Sequence, residues 1–222
     1  MQDLSALTVG ASGYVGGYLL EMALSHGAIA SVTALVRRPL TISHPVLTQR
    51  VVDFEKIAED TLSEPVTDFF CCLGTTRRKA GSRQAFRRVD FDYVLASAIL
   101  AQRAGAQGCF VVSSVGADPR ASNFYLRVKG EMEHALGQLN FRSLHIFRPG
   151  LLSGKRAERR PAERAAQVAM PFVRPFMVGK LRRYRPISAE IVAAAMIGAA
   201  LTDSRGRHIH HNDDMYDLTA NF

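Results

Sequence analysis

The sequence is poor in cysteine. It has three in 222 residues, with Cys71 and Cys72 adjacent and Cys109 alone. No CxxC pair exists, so neither a disulfide scaffold nor a cysteine-based zinc site is expected. Long hydrophobic runs are lacking too. The longest apolar stretch, residues 191–201, has eleven residues, against the roughly 20 that a membrane-spanning helix requires. The opening MQDLSALTVG carries no basic segment followed by an apolar one, so no secretory signal and no membrane association are expected, and a cytoplasmic chain is. Internal repeats and low-complexity tracts are absent. What is there, 47% hydrophobic and 22% charged residues, suits one globular domain over 1–222.

The net charge of +8 is local. Residues 155–185 hold ten Lys/Arg and two acids, whereas the remainder balances 18 basic against 18 acidic residues. A coat of positive charge is therefore excluded. The segment reads as a solvated arginine-rich loop, or as a docking surface for an anionic substrate or an acidic protein partner. Nucleic acid is not expected, because Phe172, Phe176 and Tyr184 are sparsely interleaved and no reading motif appears.

Along the chain, short apolar runs alternate with helical stretches. Strands are expected at 4–9, 32–36, 51–52, 66–73, 109–112 and 144–147, with a further one near 207–210. Helices are expected at 18–25, 84–104, 123–139 and 189–201. Most strands are apolar at successive positions, the pattern of a parallel sheet buried on both faces. Such a sheet requires helical crossovers, giving a doubly wound α/β architecture. Residues 151–187, basic and punctuated by proline, are assigned to a small substrate-side cap.

Three constellations carry chemistry. The first is Gly10-x-x-Gly13-x-x-Gly16, between a strand and a helix. There glycines make the tight turn, admit a pyrophosphate to the backbone and let helix and sheet pack closely. Phosphates would sit at the helix N-terminus, where unpaired backbone N–H groups favour negative charge, with Tyr14 and Val15 among the expected cofactor contacts and Ser12 adding a hydroxyl. The second is Arg37-Arg38, where an NAD-binding fold places a carboxylate. Guanidinium groups there favour a 2′-phosphate, hence NADPH over NADH. Asp53, at the next strand end, either contacts the adenine or simply ends the strand. The third is Tyr125-x-x-x-Lys129, two side chains one helical turn apart, where the ammonium favours the phenolate and fits the tyrosine for acid–base work. Ser113-Ser114 closes the preceding strand. Alternation turns one serine to the site, and Ser114 is favoured.

Together these features resemble the short-chain dehydrogenase/reductase superfamily. The stretches GASGYVGG, VVDFEK, FCCLGTTRRKAGS, VDFDYV, SSVGAD, SNFYLRVKGEMEHAL and FRPG are similar to its Tat-interactive oxidoreductase group, atypical NAD(P)H-binding reductases with an epimerase/dehydratase-like fold. The resemblance covers about residues 8–153. It implies a Rossmann-type fold with Ser12, Gly13, Arg37, Arg38, Leu73 and Gly74 contacting the cofactor. It further implies Tyr125 as proton donor to a small carbonyl-like substrate and Lys129 on the nicotinamide ribose. The asparagine that many superfamily members carry on the helix before the catalytic strand has no clear equivalent, and Asp90 stands roughly in its place. An alternative is a catalytically quiet NADPH sensor that docks a protein partner.

His208, His210 and His211 split between two faces of a strand without a matched Cys/Asp cluster, so no metal site is read there. Cys71-Cys72 reads as buried packing.

Overall fold

The computed structural model describes residues 4–153, 179–202 and 204–222. Its centre is a seven-stranded parallel sheet in the order β3-β2-β1-β4-β5-β6-β9. The strands are β1 (Leu4–Val9), β2 (Ile29–Val36), β3 (Leu47–Val51), β4 (Asp68–Cys71), β5 (Gly108–Val112), β6 (Ser143–Phe147) and β9 (Gly206–His210). The order reverses between β1 and β4, which makes their carboxyl ends the switch point where ligands bind in open α/β sheets.

Period-two alternation divides the core between the two faces. Phe70, Phe110 and Phe147 turn to one face, where α1 (Tyr14–Ser25) and α6 (Ala189–Ala200) cover them. Phe69, Cys71, Cys109, Val111 and Ile146 turn to the other, under α4 (Tyr93–Arg103) and α5 (Phe124–Leu136). All four residues of β4 are buried, as a strand covered on both faces requires. Burying each of these large side chains contributes about 1.5–3 kcal/mol. Ser188 caps α6, its hydroxyl accepting the Ile191 N–H, and most of that alanine-rich helix is buried.

Two expectations need correction. Strand β3 spans Leu47–Val51, not 51–52. It is a half-exposed edge strand with no continuous apolar run to mark it. The helix expected at 84–104 is broken into α3 (Arg83–Arg87), a π-helical turn (Arg88–Asp92) and α4. That turn carries Asp90, which is fully buried. Single π-turns of this kind recur at functional sites.

Strand β9 closes the sheet through imidazoles. His145 in β6 pairs in register with His208, and its Nδ1 lies 2.8 Å from His210 Nε2. Its Nε2 lies 2.9 Å from the Ser204 hydroxyl. Phe110, His145 and His208 form a stacked row across three strands. Helix α7 (Asn212–Leu218) follows and packs on α6. Among the described residues no group of three His, Cys, Asp or Glu side chains is arranged to hold a metal. No described helix is long and apolar enough to cross a membrane.

Of the expected cap, residues 154–178 lie outside the described residues. They include Lys155, Arg156, Arg159, Arg160, Arg164 and Arg174. Its two ends are bridged by a small parallel pair, β7 (Leu152–Ser153) with β8 (Ile187–Ser188). Arg182 and Arg183 are exposed beside α7, and Arg182 pairs with Asp213 at 3.4 Å.

Candidate active site

The glycine turn has the close approaches its sequence calls for. Gly10 has φ +82°, and a Cβ there would lie 2.6 Å from the Cys72 carbonyl, so β1 leaves the sheet directly beside the end of β4. A Cβ at Gly16 would overlap the Gly10 carbonyl. Gly13 caps α1 without a side-chain hydrogen bond, and the first turn of that helix holds no acidic residue. Its leading N–H groups therefore have no side-chain acceptor, and the positive end of the helix dipole lies behind them. Ser12 is exposed at the turn. Val15 is buried in the core, so only its backbone is on offer there. Tyr14 points elsewhere: its hydroxyl donates to the Ser153 carbonyl at 3.1 Å, joining the turn to the base of the cap.

Arg37 and Arg38 follow β2, exposed on the same edge and without an ion pair or hydrogen bond among the described residues. Asp53 is also exposed on that edge, but its Oδ1 accepts the Glu55 N–H at 3.0 Å, a turn contact within its own loop. Leu73 and Gly74 continue β4. A Cβ on Gly74 would lie 3.6 Å from Asp90 Oδ1 and 3.9 Å from Lys129 Nζ, so this loop passes over the most buried part of the site.

Helix α5 supplies the other wall. Asn123 caps it by accepting the N–H groups of Tyr125 and Leu126. Tyr125, Lys129 and Glu133 recur every four residues along one stripe. The Tyr125 ring packs on Phe86 of α3 at 5.7 Å. Lys129 is buried and forms an ion pair with Asp90 at 2.9 Å. Burial alone would lower its pKa, but the Asp90 carboxylate and the Tyr125 phenol outweigh that and hold it above the ordinary lysine range. Lys129 is therefore shared: besides the phenol one turn away it pairs with Asp90, a partner the sequence reading did not name. The neighbouring thiols are pushed up by burial, Cys71 to about 12, and stay neutral.

The two serines separate cleanly. Ser113 is buried and donates to Glu133 Oε1 at 2.5 Å, while Arg148 grips the same carboxylate through Nε at 2.9 Å and through a second nitrogen. Ser114 is half-buried, and among the described residues its hydroxyl makes only a long 3.4 Å hydrogen bond to the Val115 carbonyl. Ser114 is thus the serine with a hydroxyl to spare. Three residues escaped the sequence reading as working parts: Asp90, Glu133 and Arg148. Glu133 had a readable signal, because it extends the Tyr125–Lys129 stripe by one turn.

The glycine turn, the β4 loop, Ser114 and the Tyr125–Lys129 helix meet at one sheet edge. Protein HTATIP2 of Rattus norvegicus is 46% identical over 167 residues, covering 73% of this chain and 69% of its own length. The chain belongs to the HTATIP2/FMP52 family. The mitochondrial protein fmp52 of Aspergillus clavatus is 31% identical over 221 residues, covering 96% of this chain and 93% of its own. No family model matches the chain. Among solved structures, MoeE5 in complex with UDP-glucose and NAD superposes with a TM-score of 0.67 at 17% identity, covering 97% of this chain and 81% of that one. The human epimerase family protein SDR39U1, with NADPH, gives 0.64 at 13%, covering 94% and 74%. These likenesses show the Rossmann-type epimerase and short-chain dehydrogenase fold. The cytoplasmic expectation is corrected: the FMP52 members of the family are named mitochondrial, and the bare N-terminal reading carried no information against that.

Proposed function

We propose that this family member is an NADPH-dependent oxidoreductase of the atypical short-chain type, reducing a small carbonyl-like substrate. One arrangement supports the reading: the uncapped glycine turn after β1, Ser114 after β5 and the head of α5 with Tyr125 all lie beyond the carboxyl ends of the parallel strands. A Cβ at Gly10 or Gly16 would collide with the backbone of Cys72 or of Gly10, so only glycine makes this tight strand-to-helix turn, and the uncapped start of α1 suits the charge of a pyrophosphate. The residues present fit the group.

When bound, NADPH supplies the hydride that reduces the carbonyl carbon. The chain supplies the rest. Gly10, Gly13, Gly16 and the N–H groups of Tyr14 and Val15 hold the pyrophosphate, with Ser12 as a further donor. Arg37 and Arg38 hold the 2′-phosphate, and Leu73 and Gly74 form the floor. Ser114 donates a hydrogen bond to the substrate oxygen, and Tyr125 delivers its hydroxyl proton to that oxygen as the alcohol forms. Lys129 orients the nicotinamide ribose. Asp53 is assigned to its loop turn rather than to adenine.

A second reading has an observation of its own. Tyr14 joins the glycine turn to Ser153 at the base of the basic cap, which would let cofactor occupancy be felt where an acidic protein partner could dock. In that case the chain is a quiet NADPH sensor. Turnover separates the two. NADPH oxidation over a panel of aldehydes, ketones and quinones is expected for the wild type and to fall about 10²–10⁴-fold in Tyr125→Phe with NADPH affinity retained. Tight NADPH binding with no turnover on any substrate would hand the assignment to the sensor.

A further inference from the structure

We propose that Asp90 is a positioning residue of this site: its carboxylate ties the helix carrying Tyr125 and Lys129 to the loop leaving β4, so that the cofactor floor and the reactive side chains stand as one unit. The proposal builds on the reading that Lys129 meets the dinucleotide and adds what holds it there.

Two contacts define the tie. Asp90 Oδ1 pairs with Lys129 Nζ at 2.9 Å, and Asp90 Oδ2 accepts the Thr75 N–H at 2.8 Å. Both side chains are out of solvent, with 1% of Asp90 and 4% of Lys129 accessible. Lys129 Nζ also lies 3.5 Å from the Val112 carbonyl at the end of β5. The carboxylate thus touches α5 directly, the β4 loop through its backbone, and β5 through the lysine. The π-turn is what makes this reachable. Asp90 sits within that turn and points inward, while its neighbours Arg87 and Arg88 pair nearer the surface with Glu131 and Glu55.

The groups that face Lys129 are few. Asp90 faces it from the π-turn, Tyr125 from its own helix, and the thiols of Cys71 and Cys72 from the end of β4. Glu133, one turn further along α5, is occupied by Ser113 and Arg148. With both thiols neutral, Asp90 is the carboxylate that balances the buried ammonium. Removing one partner of a buried pair leaves the other charge uncompensated. Asp90→Asn keeps the shape and an oxygen for Thr75, yet withdraws the charge, and burial then drives the lysine to give up its proton at lower pH.

The test titrates NADPH by its fluorescence from pH 6.5 to 9.5. Wild type is expected to bind with nearly constant affinity. Asp90→Asn is expected to weaken about tenfold or more toward the alkaline end, and Asp90→Asn/Lys129→Met to be flat again, since nothing is left to titrate. A flat profile for folded Asp90→Asn, with Lys129→Met impaired, overturns the proposal, whereas a role in packing alone would leave a loss that ignores pH. If Lys129→Met binds NADPH as wild type does, the ribose contact fails instead, and melting temperatures judge the pair. Lysine titrates near 10.4 in the unfolded chain and lower in folded Asp90→Asn, so the deficit of that variant should shrink as pH rises. A pH-independent deficit overturns the pairing role. Should Asp90→Asn not fold, Asp90→Glu keeps the charge and is expected to give the flat profile; a sloping one counts against the proposal.

Discussion

At the scale of single residues, charge stands at particular places, and each is open to substitution. Arg37 and Arg38 stand exposed and unpaired among the described residues at the end of β2, where a 2′-phosphate would lie. A charge-assisted hydrogen bond of this kind contributes about 1.5–3 kcal/mol, and reversing the charge adds repulsion. Arg37→Glu is therefore expected to weaken NADPH binding on the order of 100-fold and to leave NADH binding nearly unchanged. Equal losses for both cofactors would remove the 2′-phosphate role. The residue scale also shows where the sequence was readable. Tyr125 and Lys129 announce themselves by a one-turn spacing, whereas strand alternation only separates Ser113 from Ser114 and left the choice to the folded contacts. That Glu133 and Arg148 should immobilise Ser113 did not follow, because Arg148 comes from a distant strand that only folding brings alongside. Asp90 was seen as standing in the place of a missing asparagine. Its partner was not, because an ion pair between residues 90 and 129 leaves no local pattern.

Among elements, long runs with buried faces were legible and edges were not. The strands β1, β4, β5 and β6 are apolar because helices cover both their faces, and the same burial made them visible in the sequence. Strand β3 shows one half-exposed face to solvent and carries Gln49 and Arg50, so its pattern dissolved. The π-turn was invisible for another reason: inserting one residue in a helix shifts the stripe without interrupting it, and residues 84–104 still read as periodic. The last strand holds a property of its own. Burial lowers the pKa of His145 to about 3 and of His210 to about 4, with neighbouring imidazoles adding to the effect for His145. The unfolded chain takes up these protons near pH 6.5, the folded one only well below it. Between those values the unfolded state binds more protons, so stability falls as pH drops from about 6.5 toward 4. Thermal melting should show this slope, and His145→Phe, which keeps the stack on Phe110, should reduce it to the part that His210 contributes. An unchanged slope would mean that other groups set the acid limit.

On the scale of the whole molecule, strand order decides where chemistry sits. The strand order reverses between β1 and β4, and the glycine turn, the β4 loop and the head of α5 all follow from the carboxyl ends of the strands. The α/β class was legible from the alternation of strand and helix. Placing β9 beside β6 was less so, since a short histidine-bearing edge strand looks like a tail until its register with β6 is known. Cellular location lay beyond the folding pattern altogether, and the family's mitochondrial members overturned the expectation drawn from composition. The central claim is geometric: one dinucleotide spans the sheet edge from Arg37–Arg38 to Tyr125. Its most direct measurement is a crystal structure of the chain with NADPH bound. The account predicts the 2′-phosphate against Arg37 and Arg38, the pyrophosphate on the N–H groups at the start of α1, and the nicotinamide beside the Tyr125 hydroxyl. A dinucleotide seated elsewhere, or a Tyr125 hydroxyl turned away from the nicotinamide, would contradict it.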